Sequence, residues 1–141
     1  MQYKAVIFDL DGTLVDSLAD LSNSVNLMLK SYGFPTHEME QYRYFVGNGS
    51  KKLMERTLPR DKAASAEFVE EALVKYKAIY KERLLEKTRP YNGVRELLAE
   101  LKSRGIPLAV CTNKHNDAAL TIVKILFAPG TFEEVLGDRP G

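Results

Sequence analysis

The 141-residue sequence predicts an α/β fold: part of a parallel sheet core, with an all-helical block inserted directly after the first strand. Three observations carry that prediction. Two short unbroken apolar runs, residues 5–8 and 106–111, each end in polar groups, as strands buried on both faces of a parallel sheet do. Helical periodicity alternates with such runs in the C-terminal third, the order of parallel strands joined by crossover helices. The stretch 15–87, by contrast, reads as helix throughout and holds no strand candidate.

Each element has its own signal. The first strand, 4–9, runs into the loop Asp9-Leu10-Asp11-Gly12-Thr13. A helix over 16–32 follows from the spacing of Leu18, Leu21, Val25, Met28 and Leu29, with Gly33 placed as a left-handed cap. Pro35 blocks its continuation, and Thr36 is positioned to cap a short helix to about residue 45. The Gly47-Asn48-Gly49-Ser50 loop precedes a helix over 50–58 that Pro59 stops. The longest helix, 65–85, presents Phe68, Ala72, Leu73, Tyr76, Ile79, Tyr80 and Leu84 on one face. Asn92 and Gly93 open a helix with Val94, Leu97, Leu98 and Leu101, ended by Gly105. A second strand at 106–111, a helix at 116–126 and a third strand at 132–136 complete the order. The predicted domains are 1–14 with 88–141 for the sheet core, and 15–87 for the helical insertion.

Composition narrows the functional classes. Twenty basic residues balance 19 acidic ones, and a net charge of +1 predicts no nucleic-acid or membrane surface. No run approaches the ~18 apolar residues needed to span a bilayer, and no signal peptide is visible. A single cysteine, Cys111, allows neither an intrachain disulfide nor a thiolate metal cluster. It reads as a buried strand residue in a reducing cytoplasm. His37 and His115 have no acid, cysteine or histidine at metal-ligand spacing.

Open parallel sheets bind ligands beyond the C-terminal ends of their strands, and polar residues cluster at both such ends. Asp9 closes the first strand and Asp11 follows two residues later. Two carboxylates so close repel unless a cation or proton intervenes, and Mg²⁺ is the cation that prefers carboxylate and phosphate oxygens. One carboxylate can attack phosphorus to give an acyl phosphate. The other, protonated, can protonate the leaving alkoxide and then take a proton from the attacking water. Gly12 permits a turn closed to other residues, and the Thr13 hydroxyl is placed to fix the loop or orient Asp11. A structural Asp/Gly turn is the alternative reading of this segment. At the second strand end, the Thr112 hydroxyl and the backbone N–H of Asn113 suit phosphate oxygens. Lys114 reads equally as a phosphate contact and as a solvated loop lysine.

The segment Phe8-Asp9-Leu10-Asp11-Gly12-Thr13-Leu14-Val15-Asp16-Ser17 resembles the first signature of the haloacid dehalogenase superfamily, and more narrowly its phosphoglycolate phosphatase and β-phosphoglucomutase branch. The resemblance implies a Rossmann-like core with a helical cap that closes over the site. It implies Asp9 as nucleophile, Asp11 as general acid/base, and Asp9 with the Asp11 backbone oxygen as Mg²⁺ ligands. Dehalogenases of the superfamily lack the second acid, so Asp11 points to phosphoryl transfer. Thr112 matches the family's second motif, a hydroxyl that bonds the transferred phosphoryl group. Phe45-Val46-Gly47-Asn48-Gly49, continued by Leu53 and Arg56, resembles the cap loop of phosphoglycolate phosphatases, implying that Gly47, Asn48, Gly49 and Arg56 receive a substrate carboxylate. An ordinary glycine turn is the alternative there, as surface charge is for Arg43 and Lys51. The family's third-motif lysine and fourth-motif acidic pair are not reached by residue 141, so these residues alone are expected to hold Mg²⁺ weakly and to turn over little or not at all. The implied activity is hydrolysis of a small phosphate monoester, 2-phosphoglycolate first, by a monomer or homodimer. A phosphomutase and a non-catalytic interaction protein are the alternatives.

Overall fold

A computed structural model describes residues 4–139. The chain forms two compact units, Met1–Asp16 with Arg89–Gly141, and Ser17–Thr88.

The first unit is built on a three-stranded parallel sheet. β1 (Val6–Phe8) pairs with β4 (Leu108–His115), which pairs with β5 (Glu134–Asp138), in the order β1-β4-β5. Val6, Ile7 and Phe8 align with Leu108, Ala109 and Val110, and Ala109, Val110 and Cys111 align with Glu134, Val135 and Leu136. Helices α6 (Val94–Ser103) and α7 (Asn116–Leu126) connect the strands. The α6 and α7 spans agree with the periodicity that predicted them. β2 (Val15–Asp16) and β3 (Arg89–Pro90) form a separate antiparallel pair. Residues 15 and 16 are therefore strand, not helix as their spacing suggested. A two-residue strand is too short to show any period, and its partner is remote in sequence.

Burial along the sheet differs from the prediction of strands covered on both sides. Leu108, Val110 and Thr112 are buried, whereas Ile7 is 70% and Leu136 42% exposed, and Cys111 is exposed too. In register, Ile7, Ala109, Cys111 and Leu136 share one face. The reason lies in the winding. Each successive strand is added in the same direction, so right-handed crossovers lay both connecting helices on the same side.

The second unit is all helical among its described residues: α1 (Leu18–Ser31), a 3₁₀ turn (Met39–Gln41), α2 (Tyr42–Phe45), α3 (Ser50–Thr57), α4 (Arg60–Ala63) and α5 (Ala66–Arg83). α1 buries Leu21, Val25, Met28 and Leu29 and packs on α5, which buries Val69, Ala72, Tyr76 and Tyr80. The rings of Tyr76 and Tyr80 stack with centroids 5.5 Å apart. Gly33, at φ +76°, ends α1: its N–H bonds to the Lys30 carbonyl and that of Phe34 to the Leu29 carbonyl. Ser65 caps α5 by accepting from the Phe68 N–H. Thr36 caps nothing; the next turn starts at Glu38, whose N–H is held by the Gln41 side chain in a capping box. Pro59 ends α3 as expected and also serves as N-cap of α4.

One buried carboxylate closes this unit. Asp20, in the first turn of α1, accepts from the Lys87 N–H at 3.0 and 2.8 Å, the Thr88 N–H at 2.8 Å and the Thr88 hydroxyl at 2.7 Å. It is only 1% exposed. His37 is likewise structural: its Nε2 lies 2.8 Å from the Thr57 carbonyl, and its N–H bonds to Asn26.

Candidate active site

The loop after β1 is held by its apolar residues, which leaves the acids outside. Leu10, Leu14 and Val15 are fully buried, each gaining on the order of 2 kcal/mol from burial. The Leu10 carbonyl accepts from the N–H groups of Thr13, Leu14 and Val15, and the Gly12 N–H bonds back to the Val15 carbonyl. Gly12 adopts φ +77°, the left-handed region that suits glycine. Just ahead of these anchors Asp9 is exposed, with its Oδ1 accepting from the Leu10 N–H at 2.7 Å. Since Phe8 pairs with Val110, Asp9 lies one step further, level with Cys111, the residue before Thr112 on β4. Thr13 is exposed, and its hydroxyl has no hydrogen-bond partner among the described residues.

The second cluster is not a loop after a strand, as sequence suggested, but the continuation of β4 itself. The strand runs to His115, with a register shift against β5 between Cys111 and His115. Alternation puts Thr112 and Lys114 on the buried side and Asn113 on the exposed side. The Thr112 hydroxyl, on Oγ1, accepts from the Lys114 N–H at 3.1 Å. Lys114 is thus no solvated loop lysine. Its side chain is 3% exposed, and its Nζ lies 3.2 Å from Oδ2 of Asp11, a carboxylate 26% exposed. The β1 loop and the end of β4 are therefore joined by an ion pair. Sequence reasoning missed that pairing. The signal that finds it is the period-2 alternation Leu108, Val110, Thr112, Lys114, carried past the last apolar residue.

The oxygens of Asp9 and the Asp11 carbonyl are the hard donors Mg²⁺ takes, and exposure leaves the Asp9 carboxylate accessible. They amount to part of a ligand set. Among the described residues no group of three or more His, Cys, Asp or Glu side chains converges on a point.

In the helical unit, Gly47 and Gly49 adopt φ of +110° and +91° on either side of Asn48. Arg56, on α3, turns back onto this loop, with Nη1 donating to the Asn48 Oδ1 at 2.9 Å and the Phe45 carbonyl at 3.2 Å. Sequence placed all four residues in one group; the structure links Arg56 to the loop through Asn48 and the Phe45 carbonyl. Arg43 pairs with Glu40 on the surface at 2.8 Å.

Comparison with known proteins adds lineage to this geometry. The chain is 41% identical over 136 residues to a phosphoglycolate phosphatase of Neisseria meningitidis, covering 95% of this chain and 58% of that protein. The enzyme of the same description from Neisseria gonorrhoeae is 40% identical over the same extent. Among solved structures, a predicted phosphoglycolate phosphatase from Haemophilus somnus 129PT superposes with a TM-score of 0.89 at 33% identity, covering 97% of this chain and 63% of that one. The chain thus spans about three fifths of the length of these relatives. Residues 6–140 match the sequence model of the haloacid dehalogenase-like hydrolases, and the chain belongs to that family.

Proposed function

We propose that the protein hydrolyses a small phosphate monoester through an aspartyl-phosphate formed on Asp9. The observation that carries this reading is an exposed carboxylate, Asp9, just past β1 and level with Cys111, next to Thr112 on β4, with a second carboxylate, Asp11, two residues on and tied to β4 through Lys114. The Asp9 carboxylate attacks phosphorus, the ester P–O bond breaks, and the departing alkoxide takes its proton from Asp11. Water then attacks the acyl phosphate and returns a proton to Asp11, releasing inorganic phosphate and the Asp9 carboxylate. Thr112 and the backbone N–H of Asn113 hold phosphoryl oxygens. Mg²⁺, bound by the Asp9 carboxylate and the Asp11 carbonyl oxygen, would offset repulsion between anionic nucleophile and anionic substrate. The relatives' descriptions support 2-phosphoglycolate as the substrate. The Gly47-Asn48-Gly49 loop with Arg56 is the candidate receiver of its carboxylate, by its glycine N–H groups and guanidinium.

The test is to incubate the full-length protein with Mg²⁺ and a panel of phosphate esters, then to quench and reduce any acyl phosphate with borohydride. Label confined to Asp9, and lost in Asp9→Asn, is the expected result. Label on another side chain, or phosphate release retained by Asp9→Asn, refutes the nucleophile. Isomerised sugar phosphate in place of free phosphate identifies a mutase. The absence of both product and label from every ester, in the full-length protein, leaves an interaction protein.

A further inference from the structure

We propose that Lys114 is a positioning residue for the Asp11 carboxylate, and not a phosphate ligand. The inference rests on the reading of Asp11 as general acid/base and adds to it the group that sets its orientation. Three observations carry it. The Lys114 side chain is almost wholly withdrawn from solvent, so its ammonium is poorly placed to receive a substrate from solution. A buried ammonium needs an acceptor close by, and Oδ2 of Asp11 is 3.2 Å away, an oxygen that accepts whether or not the other carboxyl oxygen carries a proton. The backbone that delivers Lys114 is itself fixed: its N–H is bonded to the Thr112 hydroxyl, and it sits inside β4 where the strand shifts register against β5. A Cβ at Gly137 of β5 would meet the Lys114 carbonyl oxygen at 2.8 Å, so the two backbones are in close contact there.

The consequence is geometric. Asp11 is on a loop, and a loop carboxylate one quarter exposed samples several rotamers unless something holds it. An ammonium anchored on a central strand pins one oxygen, Oδ2, and so fixes the plane in which the carboxylate meets the leaving group. Proton transfer needs that orientation, because a general acid must lie within hydrogen-bond reach of the oxygen it protonates. The pair also ties the first motif to the second, so that Asp9 and Thr112 are held at one sheet edge by a contact that neither makes.

The experiment reads orientation directly and does not require turnover. In the 141-residue chain, NMR couplings report the χ1 rotamer of Asp11, and amide dispersion reports the fold. The expected result is a single Asp11 rotamer in the wild type, averaged rotamers in Lys114→Met, and a single rotamer again in Lys114→Arg. An Asp11 that stays fixed in a folded Lys114→Met chain overturns the proposal. Should Lys114→Met fail to fold, Asp11→Asn supplies the same test from the other side. The Lys114 ammonium protons should exchange slowly in the wild type and fast in Asp11→Asn, and equally slow exchange in both overturns the pairing. Where the chain turns over, Lys114→Met should lower kcat about tenfold or more for an alkyl ester, whose leaving group needs the proton, and far less for a nitrophenyl ester, whose leaving group does not. Equal losses on both esters assign Lys114 a structural part only. Failure of Asp9→Asn to abolish labelling sinks the proposed function but leaves the rotamer result standing, so the two readings fail separately.

Discussion

Replacing Asp20 by alanine tests whether a single buried carboxylate ties the two ends of the helical unit together. The carboxylate receives three donors, the N–H groups of Lys87 and Thr88 and the Thr88 hydroxyl. Lys87 is exposed, so its N–H regains water when the acceptor is removed. Thr88 is fully buried, and its two donors then face the vacated site at about 1–3 kcal/mol each. Asp20 also lies in the first turn of α1, where a negative charge contributes about 0.3–1 kcal/mol against the helix dipole. Removing the carboxylate relieves its own desolvation, which brings the net loss to about 3 kcal/mol. That is a large share of the ~5–15 kcal/mol that holds an ordinary domain together, and it lowers Tm by about 10 °C. Asp20→Asn keeps one acceptor oxygen and turns an amide N–H₂ toward a donor, for a loss of about 2 kcal/mol; Thr88→Val loses only a hydroxyl bond, about 1 kcal/mol. Urea unfolding followed by circular dichroism, at constant m, measures all three. An Asp20→Ala chain within about 1 kcal/mol of the wild type would show that the hydrogen bonds at this closure contribute nothing net.

Three further outcomes follow from the geometry. Burial pushes the Tyr42 phenol well above its ordinary value. Above about pH 10 the unfolded chain therefore holds fewer protons than the native one, and stability, intact below that pH, falls as pH rises. Tyr42→Phe should flatten that alkaline decline while losing about 1 kcal/mol at neutral pH with the bond to Asn26, as urea midpoints across the alkaline range will show. Cys111, on the open face of the sheet, should react with a thiol reagent in the native protein within about tenfold of its rate in urea, and full protection would refute that placement. Gly137→Ala should cost about 1–3 kcal/mol or more, because its new methyl meets the Asn116 Cα at 2.6 Å and the Lys114 carbonyl oxygen at 2.8 Å, both backbone atoms; an unchanged urea midpoint would show that β5 can shift freely.

Most of the architecture was legible because its signals are periodic and local. The apolar stripes of α1 and α5 span about three turns or more, and Gly33 and Ser65 mark ends by their own chemistry. What escaped was short, or polar in a place where apolar residues mark the core. Val15 and Asp16 pair with Pro90 and Arg89 across the whole helical unit, a contact that no window of sequence contains. β4 was cut short at Cys111 because Thr112, Asn113 and Lys114 look like a loop. The strand continues because each side chain still alternates, and because a lysine can bury its long apolar stem provided its charge is matched. The match is Asp11, more than a hundred residues earlier. Asp9 and Asp11 were visible as a pair of acids, but their different fates were not: one is exposed at the end of β1 and the other is tied to β4.

The same distinction explains why the burial of the sheet differs from the sequence reading. Counting apolar residues tells that a strand has two apolar faces, but what covers each face is set by winding. Strands laid down β1, β4, β5 in one direction place α6 and α7 on one side, so Val110 is buried while Ile7, its near neighbour across the ladder, is open. The position of the acids depends on neither face. Parallel strands in register bring their C-terminal ends to one edge whichever side is covered, and that edge is where Asp9, Asp11, Thr112 and Lys114 meet the ladder. A substitution on the open face, such as Ile7→Thr, should therefore leave the Asp11–Lys114 pair intact. A change that slips the register of β1 against β4 by one residue would move Asp9 off the level of Cys111 and displace Asp11 from Lys114.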